Sequence, residues 1–177
     1  MQYFKLLDLD YKLAVEELRT YIFNKFKVSE LCSWTPTNTT DVLNHCPNVF
    51  NMVKPLNTSI TYIAFVVYHK YNQSKIHIDT DKKNSRLLLP ILNCDNSETC
   101  FYSSSVPPVL AYQPNGVTFY KMNPATCKLE SKFKLQNGIV LFNNTVPHNV
   151  VMSPDSIFPR ISCTIALSKD LTYMLDS

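Results

Sequence analysis

The stretch Ser59–Lys70, SITYIAFVVYHK, decides the fold: it is built from β-branched and aromatic residues and reads as a strand. The same texture recurs downstream. Lys75–Ile78, Ser85–Leu92, Thr99–Ser103, Gly116–Met122, Cys127–Leu135, Gly138–Phe142, His148–Met152 and Ile161–Leu167 are further candidate strands. Asn115-Gly116 and Asn137-Gly138 are turn dipeptides of the hairpin kind. Short strands at this spacing predict a mainly β domain, a sandwich or barrel. Upstream the period changes. Over residues 11–27, Leu13, Leu18, Ile22 and Phe26 recur near the helical spacing, with charges opposite. Residues 32–58 are loop-rich, with short helices expected near Asp41 and at Pro47. No linker, repeat or low-complexity tract interrupts the chain. The reading is one domain over 1–177: a helical lead-in (about 1–58) packed on one face of a β core (about 59–168).

Composition narrows the function. The net charge of +3 is too small for a nucleic-acid binder, and no clustered basic groove is visible. Hydrophobic residues at 45% against 18% charged exclude a disordered chain. Only two glycines occur, which excludes glycine-rich phosphate loops; sixteen asparagines are expected to take turn positions in their place. Met1–Lys12 carries four charged side chains and does not read as a signal peptide, and the longest apolar run, Tyr62–Tyr68, is too short to cross a bilayer. The expectation is a soluble cytoplasmic protein with no membrane partner. The six cysteines form no CxxC pair and are expected as free thiols, and the Asn-X-Ser/Thr triplets as chance.

Four histidines occur, two in suggestive contexts. In Ile76-His77-Ile78-Asp79, strand alternation puts His77 opposite the two isoleucines, with Asp79 at the strand end beside it. His148 follows the strand Gly138–Phe142. Two histidines and one carboxylate occupy one face of an octahedral metal and leave three positions open, as in non-haem Fe(II) oxygenases. Asp81 is a rival ligand in the same turn. Arg160-Ile161-Ser162 puts a guanidinium and a hydroxyl on one strand face, a receptor for a carboxylate. Other groups have structural readings: His69 at a strand end, His45 in a loop or short helix, Trp34 as a packing anchor. Tyr62, Phe65, Tyr102 and Tyr120 read as core or cavity-lining.

His77-Ile-Asp79, Gly138-Ile-Val-Leu-Phe142…Pro147-His148 and Arg160-Ile-Ser162, in that order, resemble the 2-oxoglutarate- and Fe(II)-dependent oxygenases over roughly residues 59–168. Arg86, nine residues after His77, resembles the aspartyl/asparaginyl β-hydroxylase branch. The resemblance implies a double-stranded β-helix, a flattened jelly-roll, cupin-like barrel of two four-stranded antiparallel sheets with leading helices. It implies Fe(II) held by His77, Asp79 and His148, and 2-oxoglutarate chelated at the metal with its distal carboxylate on Arg160 and Ser162. O₂ would be consumed, succinate and CO₂ released, and a substrate C–H hydroxylated. Asp79 favours hydroxylation over halogenation, which needs the carboxylate's position. Arg86 lies in Arg86-Leu-Leu-Leu-Pro90, which lacks strict alternation, so its direction is open. Pointing inward, it would hold the substrate's carboxylate or the inner carboxylate of the co-substrate.

Lys82, Lys83 and Arg86 make one side of the expected barrel mouth basic, which favours an amino acid, a peptide side chain or another small carboxylate-bearing substrate. Two other classes compete. A non-catalytic β-helix binding module would carry a degenerate metal site and bind no metal tightly. A cupin-like metalloenzyme without a keto acid would gather a closely spaced histidine pair, which this chain lacks.

Overall fold

A computed structural model describes residues 2–71, 74–80, 84–112, 117–136 and 138–176. In chain order the elements are β1 (Phe4–Leu7), α1 (Lys12–Lys25), β2 (Trp34–Pro36), α2 (Thr39–His45), α3 (Pro47–Val53), β3 (Ile60–Tyr68), β4 (His77–Asp79), β5 (Ser85–Leu92), β6 (Ser97–Ser104), β7 (Val109–Tyr112), β8 (Thr118–Lys121), β9 (Cys127–Lys134), β10 (Ile139–Asn143), β11 (His148–Met152) and β12 (Arg160–Leu167).

The strands form two six-stranded sheets, ordered β1-β10-β5-β12-β3-β2 and β7-β8-β4-β11-β6-β9, antiparallel throughout. The expected barrel is instead a sandwich. Among the described residues no ladder joins the two sheets. β1 and β2 extend the first sheet at its two edges, and the paired strands β7 and β8 extend the second. The two sheets meet through side chains rather than backbone bonds. From β3 onward the chain passes repeatedly between the sheets, so residues far apart in sequence are brought face to face.

The first sheet is covered on both sides. On its outer face, Ile63, Phe65, Val67, Leu87, Leu89, Ile91, Ile161, Cys163, Ile165 and Leu167 pack with the helices in one cluster. On its inner face, Leu88, Val140 and Phe142 meet Phe101 and Phe133 of the second sheet. A sheet buried twice needs apolar residues on both faces, so its strands lose the alternation that marks a half-exposed sheet. This is why Arg86-Leu-Leu-Leu-Pro90 reads without period. The odd positions face the helices, and Arg86 and Leu88 face the second sheet.

The helices stand where the sequence placed them, with one change of face. The buried stripe of α1 is Ala14, Val15, Leu18, Tyr21 and Ile22, while Leu13 is 56% exposed and Phe26 caps the helix end. Asn38 accepts from the Asp41 backbone N–H to cap α2, and Pro47 opens α3, where its missing N–H costs nothing. Asn57 and Asn93 adopt left-handed φ values of 49° and 52°, turn geometry that glycine would otherwise supply. All six cysteines are free thiols. No described helix is long and apolar enough to cross a membrane. The Asn115-Gly116 turn, and Asn137 of the second, lie outside the described residues, as do Asp81, Lys82 and Lys83.

Candidate metal centre

β11 lies between β4 and β6, and its first residue faces a partner on each side: His148 is opposite His77 on β4 and opposite Phe101 on β6. A cross-strand pair brings its side chains together, and the two imidazole centroids are 4.5 Å apart. β4 is three residues long, so alternation returns Asp79 to the face of His77. Asp79 Oδ1 is 3.7 Å from His77 Nε2. Ligand atoms of His77, Asp79 and His148 all lie within 4.8 Å of one another. This is the only such group of three or more among the described residues, so His45 and Cys46 do not form one.

The tautomers suit a metal. His77 Nδ1 is 2.8 Å from the Lys75 carbonyl and His148 Nδ1 is 2.9 Å from the Val146 carbonyl. A carbonyl only accepts, so each Nδ1 carries a proton, and in the neutral ring this leaves the Nε2 lone pair for a metal. Burial, reinforced by neighbouring His77, pulls His148 down to about 4, so it stays neutral near pH 7. Phe101 and Phe142 pack against its ring at 6.2 and 5.6 Å. Ligand bonds near 2.1 Å put adjacent donors about 3 Å apart, so the 3.7 Å pair closes on an ion with a small side-chain rotation. The donor set of two nitrogens and one carboxylate fits iron in a facial arrangement.

The centre opens into a cavity of about 490 Å³ between the sheets. Arg160 lies in its wall, 1% exposed. Its Nε donates to Ser97 Oγ at 2.9 Å and its Nη1 to Ser162 Oγ at 3.1 Å, and its guanidinium lies 5.6 Å from the Tyr68 ring. Among the described residues no carboxylate stands within ion-pairing distance of it. Arg160 and Ser162 share the inner face of β12, as the sequence spacing predicts. Thr99 Oγ1 is also buried in this wall, with no hydrogen-bond partner. On β6 it lies between Ser97, which touches Arg160, and Phe101, which backs His148. Burial pushes the Tyr68 phenol upward, so it stays protonated.

Arg86 points inward. Its Nε is 3.7 Å from Asp79 Oδ2, and its guanidinium lies 5.6 Å from the Trp34 ring and 5.9 Å from the Tyr62 ring. Trp34 lines the cavity, and its Nε1 donates to Tyr62 Oη at 3.1 Å. Phe65 belongs to the helix-side core, Tyr102 donates to Asn149 Oδ1 at 3.0 Å, and Tyr120 is 40% exposed. His69 Nε2 is bonded to the Leu31 carbonyl. Thr99 and Thr164 of the cavity wall were not singled out in the sequence; their alternation with Ser97 and Ser162 is the signal that finds them. A second groove, about 380 Å³ over α1 and α2, brings no ligand set together.

No protein-family model matches the chain, and no curated protein matches it in sequence. Its structure is similar to that of HygX from Streptomyces hygroscopicus. Against the apo form the TM-score is 0.59 at 10% identity, covering 94% of this chain and 81% of that one. Against the form with iron bound it is 0.57 at 10% identity, covering 94% and 82%. At that identity the likeness shows a shared fold.

Proposed function

We propose that this chain is an Fe(II)- and 2-oxoglutarate-dependent dioxygenase on a double-stranded β-helix, hydroxylating an amino acid, a peptide side chain or another small carboxylate-bearing substrate. The observation that carries this reading is Arg160. A buried guanidinium with two serine hydroxyls and, among the described residues, no carboxylate is costly unless an anion joins it. It lies in the same cavity as the His77–Asp79–His148 cluster, so one small molecule can reach both. A keto diacid has two ends, one for the metal cluster and one for the guanidinium. The passage of β3, β4, β5 and β6 between alternate sheets, and of β9 to β12 likewise, supports the winding of a double-stranded β-helix. The neighbouring structure with iron bound supports the choice of metal.

Iron bound with 2-oxoglutarate supplies oxidation by O₂, inserting oxygen into a C–H bond as the keto acid becomes succinate and CO₂. The residues of the chain do the rest. His77 and His148 present unprotonated Nε2 atoms, fixed by their Nδ1–H bonds to backbone carbonyls. Asp79 adds one negative charge. Arg160 and Ser162 orient the distal carboxylate, and Tyr68, Phe142 and Leu88 keep the inner cavity apolar. Among the described residues no carboxylate apart from Asp79 lines the cavity, whereas Lys75 does, which favours an anionic substrate of small size.

Fe(II), then 2-oxoglutarate, added anaerobically to the metal-free protein tests the reading. A weak visible charge-transfer band that His77→Ala abolishes is the expected result. No band, together with no Fe(II) binding by calorimetry, overturns it in favour of a non-catalytic binding module.

A further inference from the structure

The two oxygens of Asp79 face different partners: Oδ1 is 3.7 Å from His77 Nε2, and Oδ2 is 3.7 Å from Arg86 Nε. We propose that Arg86 is a positioning residue that holds Oδ2 away from the metal, so that Asp79 ligates through Oδ1 alone. The inference rests on the metal-centre reading above. A carboxylate free to rotate can chelate with both oxygens and fill a fourth position. One held at Oδ2 leaves three of six positions open.

Arg86 is itself held. Its side chain is 6% exposed, and it reaches across the inner face of the first sheet to two stacked rings. The Trp34 and Tyr62 rings lie 6.3 Å apart at 14°, joined by the Trp34 Nε1–Tyr62 Oη bond. The register explains how it gets there. Arg86 on β5 is opposite Ala166 on β12, and Ala166 is opposite Tyr62 on β3. Strands stand about 4.8 Å apart, so the span from β5 to β3 is roughly 10 Å. The methyl group of Ala166 is the only side chain in that row between them. Two aromatic faces attract the cation and help to fix its position. The planar guanidinium also satisfies both tasks at once, which a lysine ammonium does not.

Anaerobic titration of the metal-free protein with Fe(II), and separately with Co(II), tests the assignment in wild type, Arg86→Lys and Ala166→Leu. The first variant keeps the charge and loses the fork. The second leaves Arg86 in the sequence but blocks its path to the rings. Both are expected to keep the wild-type far-UV circular dichroism and to bind Fe(II) about 10–100-fold more weakly. The Co(II) visible bands are expected to change position and intensity as the second Asp79 oxygen reaches the ion, a signature that loss of packing alone does not give. Folded variants with wild-type affinity and an unchanged Co(II) spectrum overturn the role of Arg86 while leaving the metal centre intact. Wild type that binds neither ion, or binds both equally well after Asp79→Ala, overturns the metal centre itself. Should Arg86→Lys fail to fold, Ala166→Leu alone decides.

Discussion

Replacing Arg160 by Met removes the anion receptor while keeping an unbranched side chain in the wall. A guanidinium carries five N–H donors. Two are used, on Ser97 and Ser162, and the remaining three suffice for both oxygens of a carboxylate. Hydrogen bonds to a charged group contribute about 1.5–3 kcal/mol each. Losing two costs about 3–6 kcal/mol, or roughly 10²- to 10⁴-fold in affinity at about 1.4 kcal/mol per decade. The assay is thermal denaturation with Mn(II) and 2-oxoglutarate. At a ligand concentration 100 times Kd, wild type gains about 2.7 kcal/mol. For a chain of this length that raises Tm by about 5–11 °C. The same concentration is expected to shift Arg160→Met by no more than about 2 °C. The control is 2-oxobutyrate, which has the keto acid end and no distal carboxylate, and whose weaker effect is expected to be the same in both proteins. Wild-type affinity for 2-oxoglutarate in Arg160→Met, or equal sensitivity of both ligands to the substitution, refutes the anchor.

Three further outcomes follow from the geometry. His148 titrates near 4 in the fold, against about 6.5 when unfolded. Its neutral form is the folded one, so its contribution is complete above pH 6.5 and is lost as pH falls toward 4. Urea denaturation of metal-free protein is expected to show stability falling across that window, with a shallower slope in His148→Gln; equal slopes count against burial of the neutral ring. Phe101 is fully buried between the sheets, and Phe101→Ala is expected to cost about 3–5 kcal/mol in the same assay. Gly138 has φ +147°, and a Cβ there meets Leu6 Cδ1 at 2.5 Å, so Gly138→Ala is expected to cost about 1–3 kcal/mol; an unchanged urea midpoint counts against the strain.

The strands from β3 onward, β7 excepted, were legible because each is a run of β-branched or aromatic residues bounded by turn residues. β1, β2 and β7 were not. They are three or four residues long, and Trp34-Thr35-Pro36 is flanked by loop sequence, so no period develops. Their positions at sheet edges come from neighbours that a local pattern does not contain. The His77–Asp79 spacing was legible because alternation is a local property. Its meeting with His148 was legible only through the resemblance in motif order, since nothing local states that β4 and β11 pair. The direction of Arg86 was illegible for a physical reason: a sheet covered on both faces has no polar side to set the phase. Trp34 was read as a packing anchor because a single aromatic in a loop carries no sign of which surface it will cover. In the structure it packs and lines the cavity at once.

That placement of Trp34 has a practical side. It is the only tryptophan in the chain, and it stands in the cavity wall beside Arg86. Emission excited at the red edge of protein absorbance therefore comes from one indole at the proposed reaction chamber. Whatever enters that chamber alters the polarity around the ring or quenches it. The protein carries its own optical gauge of occupancy, and a library of amino acids and short peptides can be surveyed for the missing substrate without label, turnover or oxygen.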